Sequence, residues 1–202
     1  MTSEIIDWKN DTGRKFEKHA KKQLINLYPF FLKDIIELWG QKIENKKVLE
    51  IGPGPGFMLR EFEKAKASLI IAYDLSFEML VKSNNNSFSS DKSLYINGCA
   101  EVMPFKPDSF DVVFSRGSIF FWKNKQQCLQ NILKVLKKGG IALVGGGYSM
   151  SAPDKLLPHT QSKPDKIIPR INPEKLLSNL SNTQKADLIS KKGRGFWIRI
   201  IK

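Results

Sequence analysis

Val48-Leu49-Glu50-Ile51-Gly52-Pro53-Gly54-Pro55-Gly56-Phe57 places a short apolar run directly before three alternating glycines. A buried strand that runs into such glycines can turn sharply and let a ligand approach the backbone, because no side chain stands at Gly52, Gly54 or Gly56. The helix that follows aims its first N–H groups into the same space and favours an anionic group there. A dinucleotide site of spacing G-x-G-x-x-G would need glycine at position 57, where the chain has Phe57. A phosphate loop of the Gly-Lys-Ser/Thr kind also fails, since Gly56 is followed by Phe57-Met58.

Outward from this stretch, residues 48–51, 69–73, 94–96, 110–114 and 141–144 are continuous apolar runs of the kind buried on both faces of a parallel sheet. Helical patterns lie between them. Residues 57–66 follow the glycines, residues 77–83 begin after Ser76 as N-cap, and residues 126–138 carry Leu129, Ile132, Leu133 and Leu136 on one stripe before Gly139-Gly140. Alternating strands and helices predict a doubly wound α/β sheet with right-handed crossovers. Upstream, residues 14–39 repeat apolar residues at three- and four-residue steps. Pro29 interrupts them, predicting two helices that meet near Tyr28 with Pro29 in the first turn of the second. Downstream, Pro153, Pro158, Pro164, Pro169 and Pro173 punctuate a segment with little periodicity, the mark of a loop or lid. Residues 172–180 then suit a short helix capped by Asn172. Residues 186–190 and 196–201 suit a hairpin across the glycine-containing 191–195 connection.

With 202 residues, 41% hydrophobic and 26% charged, the chain has the length and composition of one domain with a sizeable core. The expected division is 1–45 as an N-terminal helical cap, 46–146 as the core, 147–171 as the Pro-rich loop or lid, and 172–202 as helix and terminal hairpin. No apolar run approaches the ~20 residues of a membrane span. The first twenty residues carry Glu4, Asp7, Asp11 and Glu17 and lack an apolar block, so a cytoplasmic location is expected. Cys99 and Cys128 cannot build a disulfide framework and lack metal-ligand spacing; no metal site is expected. The net charge is +13, with 11 Lys and Arg against 4 Asp and Glu over residues 151–202. A basic surface attracts phosphates, but only six of the 33 basic residues are Arg, the better reader of phosphate and guanine, so nucleic acid is the lesser partner class. No sequence feature specifies an oligomeric state.

The run Glu50-Ile51-Gly52-Pro53-Gly54-Pro55-Gly56 resembles motif I of the class I S-adenosylmethionine-dependent methyltransferases, and further matches follow in order. Asp74, closing Ile71-Ala72-Tyr73-Asp74, resembles the acid at the end of the family's second strand. Asn97-Gly98-Cys99-Ala100-Glu101-Val102-Met103-Pro104-Phe105 is similar to its loop after strand three. Phe110-Asp111-Val112-Val113-Phe114-Ser115 is similar to strand four, and Leu133-Lys134-Val135-Leu136-Lys137-Lys138-Gly139-Gly140 to the passage into strand five of the branch that includes ubiquinone and menaquinone methyltransferases. The resemblance covers about residues 46–146. It implies a Rossmann-like, seven-stranded, mostly parallel sheet with a C-terminal antiparallel hairpin, and S-adenosyl-L-methionine as cofactor.

The resemblance also implies roles. Gly52, Pro53, Gly54 and Gly56 would shape the pocket for the methionine part, with Glu50 near its ammonium. Asp74 would hold the ribose hydroxyls, Leu75 would pack on the adenine, Ala100 and Glu101 would line its edge, and Ser115 and Arg116 would lie beneath the cofactor. The family's acid for the adenine amino group is replaced by Cys99, a weak acceptor. Either Glu50 or Asp74 alone could be a structural carboxylate, paired with a lysine or set at a helix start. Phe120, Phe121 and Trp122 could form a substrate wall or pack in the core. Should the acceptor lose a proton, His19, His159 and Tyr148 are the available bases. The segment Ser115-Arg116-Gly117-Ser118 lacks the Asp/Asn-Pro-Pro-Phe/Tyr tetrad of exocyclic-amine nucleic-acid methyltransferases, and no Pro-Cys nucleophile appears, which favours a small-molecule acceptor. An RNA methyltransferase, or a catalytically silent cofactor-binding partner subunit, are the alternatives.

Overall fold

The computed structural model describes residues 24–88, 91–157, 171–178, 180 and 185–202. Seven strands form one sheet: β1 (Lys47–Ile51), β2 (Leu69–Asp74), β3 (Ser93–Asn97), β4 (Phe110–Arg116), β5 (Leu136–Gly147), β6 (Lys185–Ser190) and β7 (Gly195–Ile201). Their order is β3-β2-β1-β4-β5-β7-β6. The first five pair in parallel, and β7 pairs antiparallel with both β5 and β6. Direction of winding reverses between β1 and β4, and ligands of open α/β sheets bind beyond the carboxyl ends of the strands at that point.

The apolar runs are continuous because alternate residues feed two cores. Val48, Ile70, Ala72, Val112, Phe114, Ile141, Leu143 and Trp197 face one layer. Leu49, Ile51, Ile71, Tyr73, Val113, Ala142, Val144 and Ile198 face the other. Over the first layer lie α1 (Tyr28–Trp39), α2 (Phe57–Lys64) and α3 (Phe77–Asn86), contributing Phe31, Ile35, Met58, Phe62 and Leu80. Helix α4 (Lys125–Val135) covers the second with Cys128, Leu129 and Ile132, and α5 (Pro173–Ser178) packs against it through Leu176 and Leu177.

Helix α1 begins at Tyr28 with Pro29 in its first turn, after a 3-10 turn over Ile25–Leu27. The first of the two expected N-terminal helices, with His19, lies largely outside the described residues. So does the middle of the Pro-rich segment, with His159. Ser76 caps α3 by accepting the Met79 N–H at 3.3 Å, and Asn172 accepts the Lys175 N–H at 2.9 Å ahead of α5. One expected boundary is corrected: Leu136, Lys137 and Lys138 belong to β5, not to the helix before it. Leu136 pairs with Phe110 ahead of an irregularity, and Gly139, at φ 73°, carries the chain to the regular pairing of Ile141 with Val112.

The segment after β5 is tied down from two sides. Buried Asp34 accepts the N–H groups of Met150 (2.8 Å) and Ser151 (3.0 Å). Arg194, 2% exposed, donates to the Ser149 carbonyl and to Asp154, fixing the same segment to the turn between β6 and β7.

Candidate functional site

The glycine bend joins β1 to α2 at the reversal point. Gly52 (φ 68°) donates to the Tyr73 carbonyl at 2.8 Å, and a Cβ there would stand 2.5 Å from Ser118 Cβ. Gly56 (φ 81°) is the N-cap of α2, and a Cβ on it would meet the Ser83 backbone of α3 at 2.8 Å. Both positions therefore require glycine for conformation and for space.

Glu50 and Asp74 stand on neighbouring strands on the face that carries α1 and α2; Glu50 pairs in register with Ala72 of β2 and with Phe114 of β4. Glu50 is 3% exposed and its Oε2 has no hydrogen-bond partner. Burial, and then the nearby charge of Asp74, push its carboxyl up to about 8. Asp74 Oδ1 accepts the Ser76 N–H at 2.9 Å. Burial pushes Asp74 up to about 6, although the N–H groups of Ser76, Gly54 and Leu75 work in the other direction. Asp74 thus bridges the glycine bend and the β2–α3 turn. The structural alternatives for these acids do not account for Glu50, a buried carboxyl lacking a lysine or any other partner for one oxygen. An orphan of that kind marks a place where a cationic or donating group belongs.

Leu75 is 67% exposed at the mouth of this cleft. Asn97 Nδ2 donates to the carbonyls of Asp74 and Leu75, each at 2.9 Å, holding the turn that presents it. The Tyr73 hydroxyl lies 3.0 Å from the carbonyls of both Cys99 and Val102, which shapes the loop after β3. Within that loop Ala100 is buried, and Cys99 Sγ donates to Glu101 Oε2 at 2.6 Å. Glu101 Oε1 accepts the N–H groups of Lys123 and Asn124. Burial works to raise Glu101, but these donors hold it below the usual carboxylate range. Its oxygens are committed to bracing the loop against the start of α4.

Ser115 is fully buried, its Oγ 2.5 Å from that of Ser118, which reaches the Ile51 carbonyl at 3.2 Å. This stitches the end of β4 to the end of β1. Arg116, one residue on, is half-buried beside α1. Ile119 and Trp122 pack in the core, Phe120 covers Gly146 and packs on Phe196, and Phe121 faces outward. Tyr148 is half-buried against the core, with its N–H on the Arg194 carbonyl. The residue missed in the sequence is Tyr28: it is buried beneath the bend and packed on Phe57 and Phe31, burial raises its hydroxyl, and the charge of Arg116 works in the other direction. Position alone, beside Pro29, gave no signal of this. Two hollows lie elsewhere, about 290 Å³ beside Pro29 and Arg60 and about 710 Å³ between Lys123–Gln126 and Ile171–Leu176; neither touches Glu50 or Asp74.

Sheet order and glycine bend are those of the Rossmann-like methyltransferase fold. Residues 49–144 match the family model described as Methyltransferase domain. Residues 49–144 carry that domain, and the resemblance implies S-adenosyl-L-methionine as its cofactor. Among curated proteins, it is 31% identical over 104 residues to 2-methyl-6-phytyl-1,4-hydroquinone methyltransferase 1 of Oryza sativa subsp. japonica, covering 50% of this chain and 30% of that protein. It is 31% identical over 118 residues to the ubiquinone/menaquinone biosynthesis C-methyltransferase of Wigglesworthia glossinidia brevipalpis, covering 55% and 47%. The chain thus spans less than half the length of these relatives. Among solved structures, a Methanococcus maripaludis protein described as a candidate S-adenosyl-L-methionine-dependent methyltransferase aligns over 100% of this chain and 97% of its own, with TM-score 0.83 and 24% identity. A SAM-dependent methyltransferase of Aquifex aeolicus aligns over 96% and 100%, with TM-score 0.67 and 16% identity. These two likenesses concern the fold. No helix among the described residues is long and apolar enough to cross a membrane.

The residues present fit the cofactor. The glycine bend leaves room for its methionine part, the orphaned Glu50 oxygen matches a cation, Asp74 sits where two vicinal hydroxyls could donate, and Leu75 offers an apolar surface for a base.

Proposed function

We propose that this chain transfers the methyl group of S-adenosylmethionine to a small-molecule acceptor of the aromatic hydroquinone type. The observation that carries the reading is the buried Glu50 with its unpartnered oxygen, beside Asp74 at the reversal point of the sheet. The hydroquinone and quinone names of the relatives at 31% identity support the acceptor class. When bound, the cofactor supplies a sulfonium methyl that is already electrophilic, so the protein's work is orientation and exclusion of water.

In this reading Asp74 holds the ribose, Glu50 faces the amino acid end, and Leu75 packs on the adenine. Glu101 and Cys99 keep the loop after β3 in shape. The segment tied by Asp34 and Arg194 edges the opening toward the acceptor. A cytoplasmic location remains part of the proposal. The excess of basic residues does not favour RNA: Arg194 is paired with Asp154, Arg199 makes a two-pronged contact with Asp187 at 2.8 Å, and Lys202 pairs with Asp108. The test is incubation with methyl-labelled cofactor, organic-soluble metabolites and RNA. Label in the phenolic organic fraction is expected; label in RNA alone, or in nothing, overturns the reading.

A further inference from the structure

Arg116 ends β4 on the far side of β1 from Asp74, on the face that carries α1. Its Nε donates to the Gly147 carbonyl at 3.0 Å and its guanidinium lies 5.4 Å from the centre of the Phe31 ring, on which the Tyr28 ring also packs with centroids 5.9 Å apart; burial raises the Tyr28 hydroxyl and the nearby Arg116 charge works to lower it. These contacts fix the fork in place but leave donors over, since a guanidinium carries five N–H groups. Among the described residues no carboxylate pairs with Arg116. Glu50, two positions back on the adjacent strand, forms no ion pair with it, and in the cofactor-loaded site that carboxyl faces the amino acid end. A guanidinium half-withdrawn from water without an anion costs free energy. The chain beside it is open, since a Cβ added to Gly117, the next residue, would meet nothing within 4 Å.

Across the sheet the polar groups run Asp74 on β2, Glu50 on β1 and Arg116 on β4. With the ribose at Asp74 and the amino acid end at Glu50, Arg116 falls where an acceptor approaches. We infer that Arg116 and Tyr28 form an oxyanion-binding pair at the acceptor end of the cleft, selecting acceptors with a phenolate, enolate or carboxylate oxygen beside the methylated atom. The inference rests on the small-molecule reading above. The neighbouring rings of Phe31 and Phe57 lower the local polarity and strengthen such a charge pair, and Arg offers a planar fork that Lys lacks.

The test uses the full chain with S-adenosylhomocysteine in the cofactor site, titrated with benzoate, 4-nitrophenolate and the neutral benzamide. Wild type should prefer at least one anion over benzamide by about tenfold or more, as a charge-assisted hydrogen bond implies. R116Q should erase that preference, R116K should keep part of it, and Y28F should reduce it, each variant being held saturated with S-adenosylhomocysteine. No preference in wild type, or one that survives in R116Q, overturns the inference. It is also overturned if R116Q weakens S-adenosylhomocysteine while 5′-methylthioadenosine, which lacks the carboxylate, binds as before, because the guanidinium then serves the cofactor. Failure of wild type to bind S-adenosylhomocysteine at all would instead remove the methyltransferase reading itself.

Discussion

Glu50 and Asp74 illustrate how two like residues acquire different tasks from their surroundings. Asp74 shares its charge with three backbone N–H groups, whereas Glu50 is enclosed with one oxygen unmatched. Because the folded Glu50 carboxyl lies near 8 and its ordinary value is 4.5, the folded state binds that proton more tightly than the unfolded chain. Its contribution to stability is therefore full below pH 4.5 and lost as pH rises through 8. E50Q should match wild type near pH 4.5 and melt at a higher temperature than wild type at pH 8.5; a wild-type curve parallel to that of E50Q would refute the raised carboxyl. A bound cation reverses the preference. Cofactor binding should release more protons from wild type than from E50Q at pH 7, readable by calorimetry in buffers of different ionisation heat. The sequence made both acids legible by their strand-end positions, but not the orphaned oxygen, which exists only once α1 and α2 close over β1.

At the scale of elements, the glycine bend works through its neighbours. G56A puts a Cβ at positive φ against the Ser83 backbone, and should cost about 2–4 kcal/mol in urea unfolding, since strain and displacement add. G139A has comparable φ but open space and should cost only about 1 kcal/mol; equal losses would mean that the packing of α3 on the bend is not decisive. D34A leaves the Met150 and Ser151 N–H groups without their acceptor and should cost about 2–4 kcal/mol, with faster proteolysis within residues 148–157. Wild-type protection from protease in that variant would show the segment is held otherwise. Elements built on local pattern were readable: the apolar runs of β1, β2 and β4, the Ser76 cap, and the hairpin across Gly193. The early start of β5 was not, because Leu136 to Lys138 continue a helical pattern and only pairing with Phe110, distant in sequence, makes them strand.

At the scale of the whole molecule, the sheet order decides what meets what. Reversal between β1 and β4 sets Asp74, Glu50 and Arg116 in a row along strand ends that are far apart in the chain. That row was only partly visible beforehand. Tyr28 lies beside it on a helix whose sequence advertises nothing but an apolar face, and the Ser115 contact with Ser118, which ties the ends of β4 and β1, had no signal in the sequence. Among the basic residues of 151–202, which raised nucleic acid as the lesser partner class, Arg194 and Arg199 pair with Asp154 and Asp187. The most direct test of this arrangement is calorimetric titration of wild type and D74A with S-adenosylmethionine. One equivalent should bind wild type, and D74A should lose about 1.5–3 kcal/mol of binding free energy; no heat with wild type, or the same affinity in D74A, would contradict the account.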